Sequence, residues 1–139
     1  MTLSIRNQLP GTVTEVHPGE VMATVKIRLD GGQELMAAIT LEAVKQLGLA
    51  PDSRVLSLVK STEISLATGR FEGLSIRNQL PGAIVQIALG GAVASVKVSV
   101  PGGELTAVIT KEAVEDLGLF VGSDVIALIK ATEVALASV

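Results

Sequence analysis

The chain is 139 residues long and 48% hydrophobic, with no Trp, no Tyr and two Phe, and its formal net charge is -3. An acidic balance with almost no aromatic residues argues against a nucleic-acid surface, which combines a basic groove with stacking platforms. The absence of Cys removes disulfides, thiolate metal sites and cysteine nucleophiles together, and a lone His17 cannot form a metal cluster.

No apolar run approaches the ~18 residues of a membrane span. Met1 is followed at once by a patterned polar segment, without the charged and apolar regions of a signal peptide. A cytoplasmic protein with no membrane partner is expected. The core has to be built from Val, Ile, Leu and Ala.

In chain order, Ser4 and Asn7 of SIRNQLPG have a plain reading, the end of a strand and the opening of a turn at QLPG. TVTEVH then alternates, and His17 in EVHPGE reads as the end of a strand entering a turn. VMATVKIRL alternates too, with Val21, Ala23, Val25, Ile27 and Leu29 on one face and Lys26 and Arg28 on the other. LDGGQEL predicts a hairpin into ELMAAIT. TLEAVKQLG predicts one helix, with Thr40 as N-cap, Glu42 in the first turn and Gly48 as C-cap. RVLSLVK and EISLA are two further extended segments.

The same order then repeats. LSIRNQLPG occurs at Leu3 to Gly11 and again, identically, at Leu74 to Gly82; a one-residue deletion in the DGGQEL/PGGEL turn then shifts the offset from 71 to 70. The second helix is TKEAVEDLG, with Thr110, Glu112 and Gly118. Repeats of this size carry a marginal core alone, so a homo-oligomer is expected. The division is residues 1–68, a connector at 69–73, and residues 74–139. Five short strands with one helix before the penultimate strand fit a small barrel of the OB type. The fold class expected is mainly β, two tandem OB-like five-stranded barrels, each with one short helix.

The polar groups that recur at matched positions are Ser4/Ser75, Arg6/Arg77, Asn7/Asn78, Thr40/Thr110, Glu42/Glu112 and Lys60/Lys130. A hydroxyl, an Arg fork, a Lys ammonium and an open helix N-terminus suit a small oxyanion. Thr40 and Thr110 can equally be plain caps, Glu42 and Glu112 simply favour the helix dipole, and Lys26 and Lys97 read as solvated. Arg6 and Lys60 stand out because ordinary surface charge has drifted between the copies. Glu20 faces Gly91, Arg28 faces Ser99, Lys45 faces Glu115 and Arg54 faces Asp124. Recent duplication alone therefore does not explain the retained cations.

At these residues the chain resembles a known family. SIRNQLPGTV, GEVMATVKI, AITLEAVKQLGL and VLSLVKSTEISLA, each with its counterpart in the second half, are similar to the Mop domain, a TOBE-type OB fold. The tandem form resembles the di-Mop molbindins, small cytoplasmic molybdate-binding proteins, and nearly the whole chain is covered. The resemblance implies molybdate or tungstate held between subunits of a homotrimer, for intracellular molybdenum storage or homeostasis. It implies an anion site of Ser4, Arg6 and Asn7 from one unit with Thr40, the amide near Ala43, Lys60 and Ser61 from a neighbouring unit. The second set is Ser75, Arg77, Asn78, Thr110, the amide near Ala113, Lys130 and Ala131. Ala131 in place of Ser61 implies unequal sites if that hydroxyl contributes. No further cofactor is implied, and molybdenum would be bound only as its oxyanion, without metal ligands from the protein. The alternative is a TOBE-like regulatory or interaction module acting in trans on a transporter or regulator. An enzyme is not expected, for there is no plausible Ser/His/acid set around His17 and no paired acids.

Overall fold

The computed structural model describes residues 2–139. Ten strands form two five-stranded antiparallel sheets, and each half of the chain carries one short helix, as the alternation and the two Thr-capped segments predict. The first half contributes β1 (Asn7–Pro18), β2 (Met22–Leu29), β3 (Glu34–Thr40), α1 (Leu41–Leu47), β4 (Arg54–Val59) and β5 (Ile64–Ala67). The second half repeats them as β6 (Asn78–Leu89), β7 (Val93–Val100), β8 (Gly103–Thr110), α2 (Lys111–Asp116), β9 (Asp124–Ile129) and β10 (Ala135–Ser138).

Each sheet takes its last strand from the other half. The orders are β10-β4-β1-β2-β3 and β5-β9-β6-β7-β8. After β4 the chain turns through a single 3-10 turn, Ser61–Glu63, and enters β5 opposite β9, with Ile64 paired to Ile129. After β9 a matching turn, Ala131–Glu133, sends β10 back against β4, with Ala135 opposite Leu58. The division by sequence repeat is therefore not the division by sheet.

The QLPG segment does not turn. Residues Gln8 to Gly11 lie inside β1, which pairs without a break to β4 along this stretch and begins its pairing with β2 at Gly11. A proline-glycine pair fits here for a different reason. Pro10 is exposed and has no N–H to satisfy, while its carbonyl accepts from the Asp30 amide at 3.0 Å. Gly11 lets β2 approach closely, since a Cβ would meet the Arg28 carbonyl oxygen and Ile27 Cγ2, both at 2.7 Å. A bulge between Val13 and Glu15 then coils the strand.

The core is aliphatic. Val13, Val25, Ile27, Leu35, Val55, Val59 and Ile64 are fully buried or nearly so, and Ile84, Val96, Val98, Leu105 and Ile129 match them in the second half. All belong to one continuous cluster across both sheets. The helices close the open ends of the sheets with Val44 and Val114, their buried residues. Gly48 takes the left-handed conformation, φ 63°, that ends α1, and its N–H reaches the Lys45 carbonyl at 3.1 Å.

Candidate oxyanion site

Two clefts recur at matched places. The first, about 340 Å³, is lined by Ser4, Ile5, Arg6, Lys60, Ser61 and Thr62, with Val108 of the other half as a wall. The second, about 240 Å³, is lined by Ser75, Ile76, Arg77, Lys130, Ala131 and Thr132. The residues come together because the SIR segment precedes β1 while Lys60 follows β4, and β1 and β4 are paired with Asn7 opposite Val59. Sequence-distant cations thus arrive at the same end of one strand pair.

The Arg side chains fold back on their own segment. Arg6 Nε donates to the Ser4 carbonyl at 3.1 Å and Nη2 to the Leu3 carbonyl at 2.9 Å. Arg77 does the same to Ser75 at 3.1 Å and Leu74 at 2.6 Å. The guanidinium is thereby fixed in orientation, and its remaining N–H groups have no protein acceptor among the described residues. Lys60 is held by the 3-10 turn, whose first bond runs from the Glu63 amide to the Lys60 carbonyl at 2.9 Å; Lys130 is matched by Glu133. Both ammonium-bearing residues are exposed.

No carboxylate neutralises this arrangement. Among the described residues the ion pairs engage Lys26, Arg54, Lys97 and His17, and none engages Arg6, Lys60, Arg77 or Lys130. Neither cleft has an Asp or Glu in its lining. Ser61 adds a hydroxyl oxygen that is buried and lacks any hydrogen-bond partner. An oriented guanidinium, an exposed ammonium, hydroxyl donors and a lining without carboxylates can accept an anion that carries no proton.

Other residues of the expected set are elsewhere or otherwise engaged. Asn7 and Asn78 are buried, each 2% exposed, and act as clasps between the halves. Asn7 Nδ2 donates to the carbonyls of Val59 at 3.0 Å and Thr106 at 2.9 Å, while Oδ1 accepts from the Thr106 amide at 2.7 Å. Asn78 clasps Met36 in the same way, at 2.7 Å and 2.8 Å. Both N–H groups of the Asn7 side-chain amide are thus engaged with backbone carbonyls. The Asn78 clasp gives that residue the same structural role.

Thr40 and Thr110 line neither cleft. Each caps its helix, accepting from Ala43 N and Ala113 N respectively, both at 3.1 Å. Their hydroxyl hydrogens stay available, while the amides of Ala43 and Ala113 are already bonded. Lys60 and Ser61 line the same cleft as Ser4 and Arg6 of their own repeat. Sequence reasoning missed the clasp, although an Asn between Arg and an apolar alternating run is a signal for a buried polar tie. Among the described residues no group of three or more His, Cys, Asp or Glu is placed to hold a metal ion.

The fold and the paired clefts define a class: the chain belongs to the TOBE domain family, whose model matches residues 3–66 and 74–136. The relatives are more specific. The chain is 39% identical over 136 residues to the molybdenum-pterin-binding protein MopB of Rhodobacter capsulatus, covering 96% of this chain and 50% of the relative. It is 35% identical over 140 residues to the molybdenum transport protein ModE of Herbaspirillum seropedicae, covering 99% of this chain and 52% of the relative. The chain thus spans about half the length of these two proteins. Among solved structures, the cytoplasmic molybdate-binding protein ModG with molybdate bound superposes with a TM-score of 0.97 at 40% identity, each chain covered completely.

Proposed function

We propose that this protein binds molybdate, and tungstate with it, at the Arg/Lys clefts, as a reversible intracellular reservoir of the oxyanion. The single observation that carries the reading is the unneutralised pair of cations in each cleft, Arg6 with Lys60 and Arg77 with Lys130, in a lining without any carboxylate. Molybdate at neutral pH is a tetrahedral dianion with no proton, so a shell of donors alone satisfies it. Hydrogen phosphate brings a proton that meets no acceptor, and one mismatched buried polar group costs about 1–3 kcal/mol. Sulfate differs from molybdate in size, so discrimination against it needs a closed cavity.

A single chain leaves the clefts open, and the neighbouring surfaces suggest how they close. Val21 and Met22 are exposed beside Thr40, which is paired with Met22, and Leu89 and Val93 are exposed beside Thr110, which is paired with Val93. An apolar rim around a free Thr hydroxyl fits against another chain's cleft, burying the rim and adding a donor to the anion. The assembly is a homotrimer in this reading, with sites between chains. Excluding water there strengthens every charged hydrogen bond.

The experiment is titration calorimetry with molybdate, tungstate, sulfate and phosphate on protein of known oligomeric mass. Binding of the first two, with little heat from the others, is expected. Lys60→Ala should weaken one set of sites and Lys130→Ala the other, with folding intact. Silence from all four anions overturns the reading. A second role, sensing the oxyanion on behalf of another protein, is favoured by one observation: the same tandem domains match half of a longer transport protein.

A further inference from the structure

A third cleft, about 620 Å³, opens where β6, β7 and β9 meet the connector that follows β5, and it shares no residue with the two Arg/Lys clefts. We infer that it is a separate ligand site, for a small zwitterion with an apolar body about the size of a dipeptide, held by Arg70 and Asp124. The site is independent of the oxyanion clefts.

The first repeat shows the same frame filled by its own side chains. There Arg54 bonds Thr12 at 3.0 Å and both carboxylate oxygens of Asp30, at 2.7 Å and 2.9 Å. In the cleft all three are replaced: Asp124 stands in the place of Arg54, Ala83 in that of Thr12 and Pro101 in that of Asp30. Arg28 has likewise become Ser99. The backbone register is retained, since Thr12 pairs with both Arg28 and Arg54 in the first sheet and Ala83 pairs with both Ser99 and Asp124 in the second. The replacements therefore remove a bridging ion pair and leave its room empty above Ala83.

The lining that remains is apolar with one charge of each sign. Pro81 pairs with Ile126 two residues along from the Ala83 and Asp124 pair, so these four share one face of the sheet, and three of them are apolar. Asp124 brings a carboxylate to that face, and Arg70 brings a guanidinium from the connector. Among the described residues neither forms an ion pair, with the other or with any third group. Each is thus free for a counter-charge, the Arg70 fork for a carboxylate and Asp124 for an ammonium. A ligand with one charge would press its apolar body against the other charged group and desolvate it without compensation, whereas a zwitterion answers both. The volume lies within the ~300–1,000 Å³ of small-molecule sites.

The test is calorimetry of the intact protein with leucyl-leucine, its N-acetyl derivative, which lacks the ammonium, and its amide, which lacks the carboxylate. Leucyl-leucine is expected to bind, and each derivative about fivefold more weakly, the upper range for one exposed ion pair. Arg70→Gln should weaken leucyl-leucine and the N-acetyl derivative about fivefold and leave the amide unchanged; Asp124→Asn should weaken leucyl-leucine and the amide and leave the N-acetyl derivative unchanged. Asp124→Arg with Pro101→Asp restores the ion pair of the first repeat and should abolish binding of all three. Thermal melts check that this double variant folds; the two single variants change exposed side chains and carry the test if it does not. No heat from leucyl-leucine, equal affinity for the three compounds, or binding indifferent to both Arg70→Gln and Asp124→Asn overturns the site.

Discussion

A serine hydroxyl without a partner can mean two things in this chain. Ser61 sits in a cleft, but Ser57 lies in the middle of β4, 0% exposed, with its hydroxyl equally unpartnered. The second copy carries Ala127 at the matched position, also 0% exposed. Since the two sheets are built alike, the hydroxyl of Ser57 is dispensable for packing and its desolvation is uncompensated. Ser57→Ala should raise stability by about 1 kcal/mol, the low end of the cost of an unsatisfied buried group. Urea denaturation reads this as a higher midpoint at unchanged slope; a lowered midpoint would show that the hydroxyl has a partner after all.

Charge at single residues behaves in the opposite way at the far end of the first sheet. Arg54 grips Asp30 with two bonds, 2.7 Å and 2.9 Å, and adds a bond to Thr12 at 3.0 Å. The hydrogen bond from Arg54 holds the Asp30 carboxyl below its ordinary value of 3.8, against a smaller opposing effect of burial. A carboxyl lowered on folding contributes stability above its unfolded value and loses that contribution as pH falls through the folded value. The pair is solvent-exposed, so the contribution is small. Melting wild type and Asp30→Asn from neutral to acid pH should show a modest gap that closes below the carboxylate range. A gap that persists in acid would assign the difference to something other than ionisation.

Between elements, the Asn clasps decide how strands of different halves meet. Asn7 stands at the head of β1 and bonds the backbone of β8, and Asn78 at the head of β6 bonds the backbone of β3. Asn7→Leu would leave the half-buried Thr106 amide and carbonyl without the partner that the clasp supplies, at a cost on the order of 2 kcal/mol. The same substitution at Asn78 should cost a similar amount, and chemical denaturation of each variant measures it. An exposed polar residue there would have cost almost nothing. This explains what was legible in the sequence at this scale. The alternation of VMATVKIRL and the Thr and Gly ends of TLEAVKQLG are local signals, and local structure follows them. QLPG misleads because Pro and Gly report permissive backbone, and the same permissiveness serves a turn or a close strand crossing. The Asn7 clasp is not legible because a side-chain amide can serve a ligand or a neighbouring backbone alike, and the sequence does not show which backbone it meets. Arg6 and Lys60 were legible as a pair because their charge is retained where other surface charge has drifted.

At the scale of the whole molecule, the exchange of the fifth strands is invisible in the sequence because both partners fit. ISLA of β5 and ALAS of β10 are interchangeable in length and composition, and β4 and β9 present similar aliphatic edges. What commits the chain to exchange is geometric: the 3-10 turn Ser61–Glu63 carries it from β4 directly to the other sheet. One repeat by itself then has four strands of a sheet and a fifth with no partner. Residues 2–73 expressed alone should therefore fold as a pair, each copy lending β5 to the other, and sedimentation should show twice the single-repeat mass. A folded monomer would mean that the turn can reverse and β5 can close its own sheet. The turn that crosses between sheets also carries Lys60 and Ser61, so the clefts are formed by the crossing itself. An oxyanion that binds them stabilises the exchanged form by mass action. Molybdate is expected to raise the Tm of the paired fragment, and to leave unchanged that of a variant lacking both Arg6 and Lys60 side chains, Arg6→Ala with Lys60→Ala.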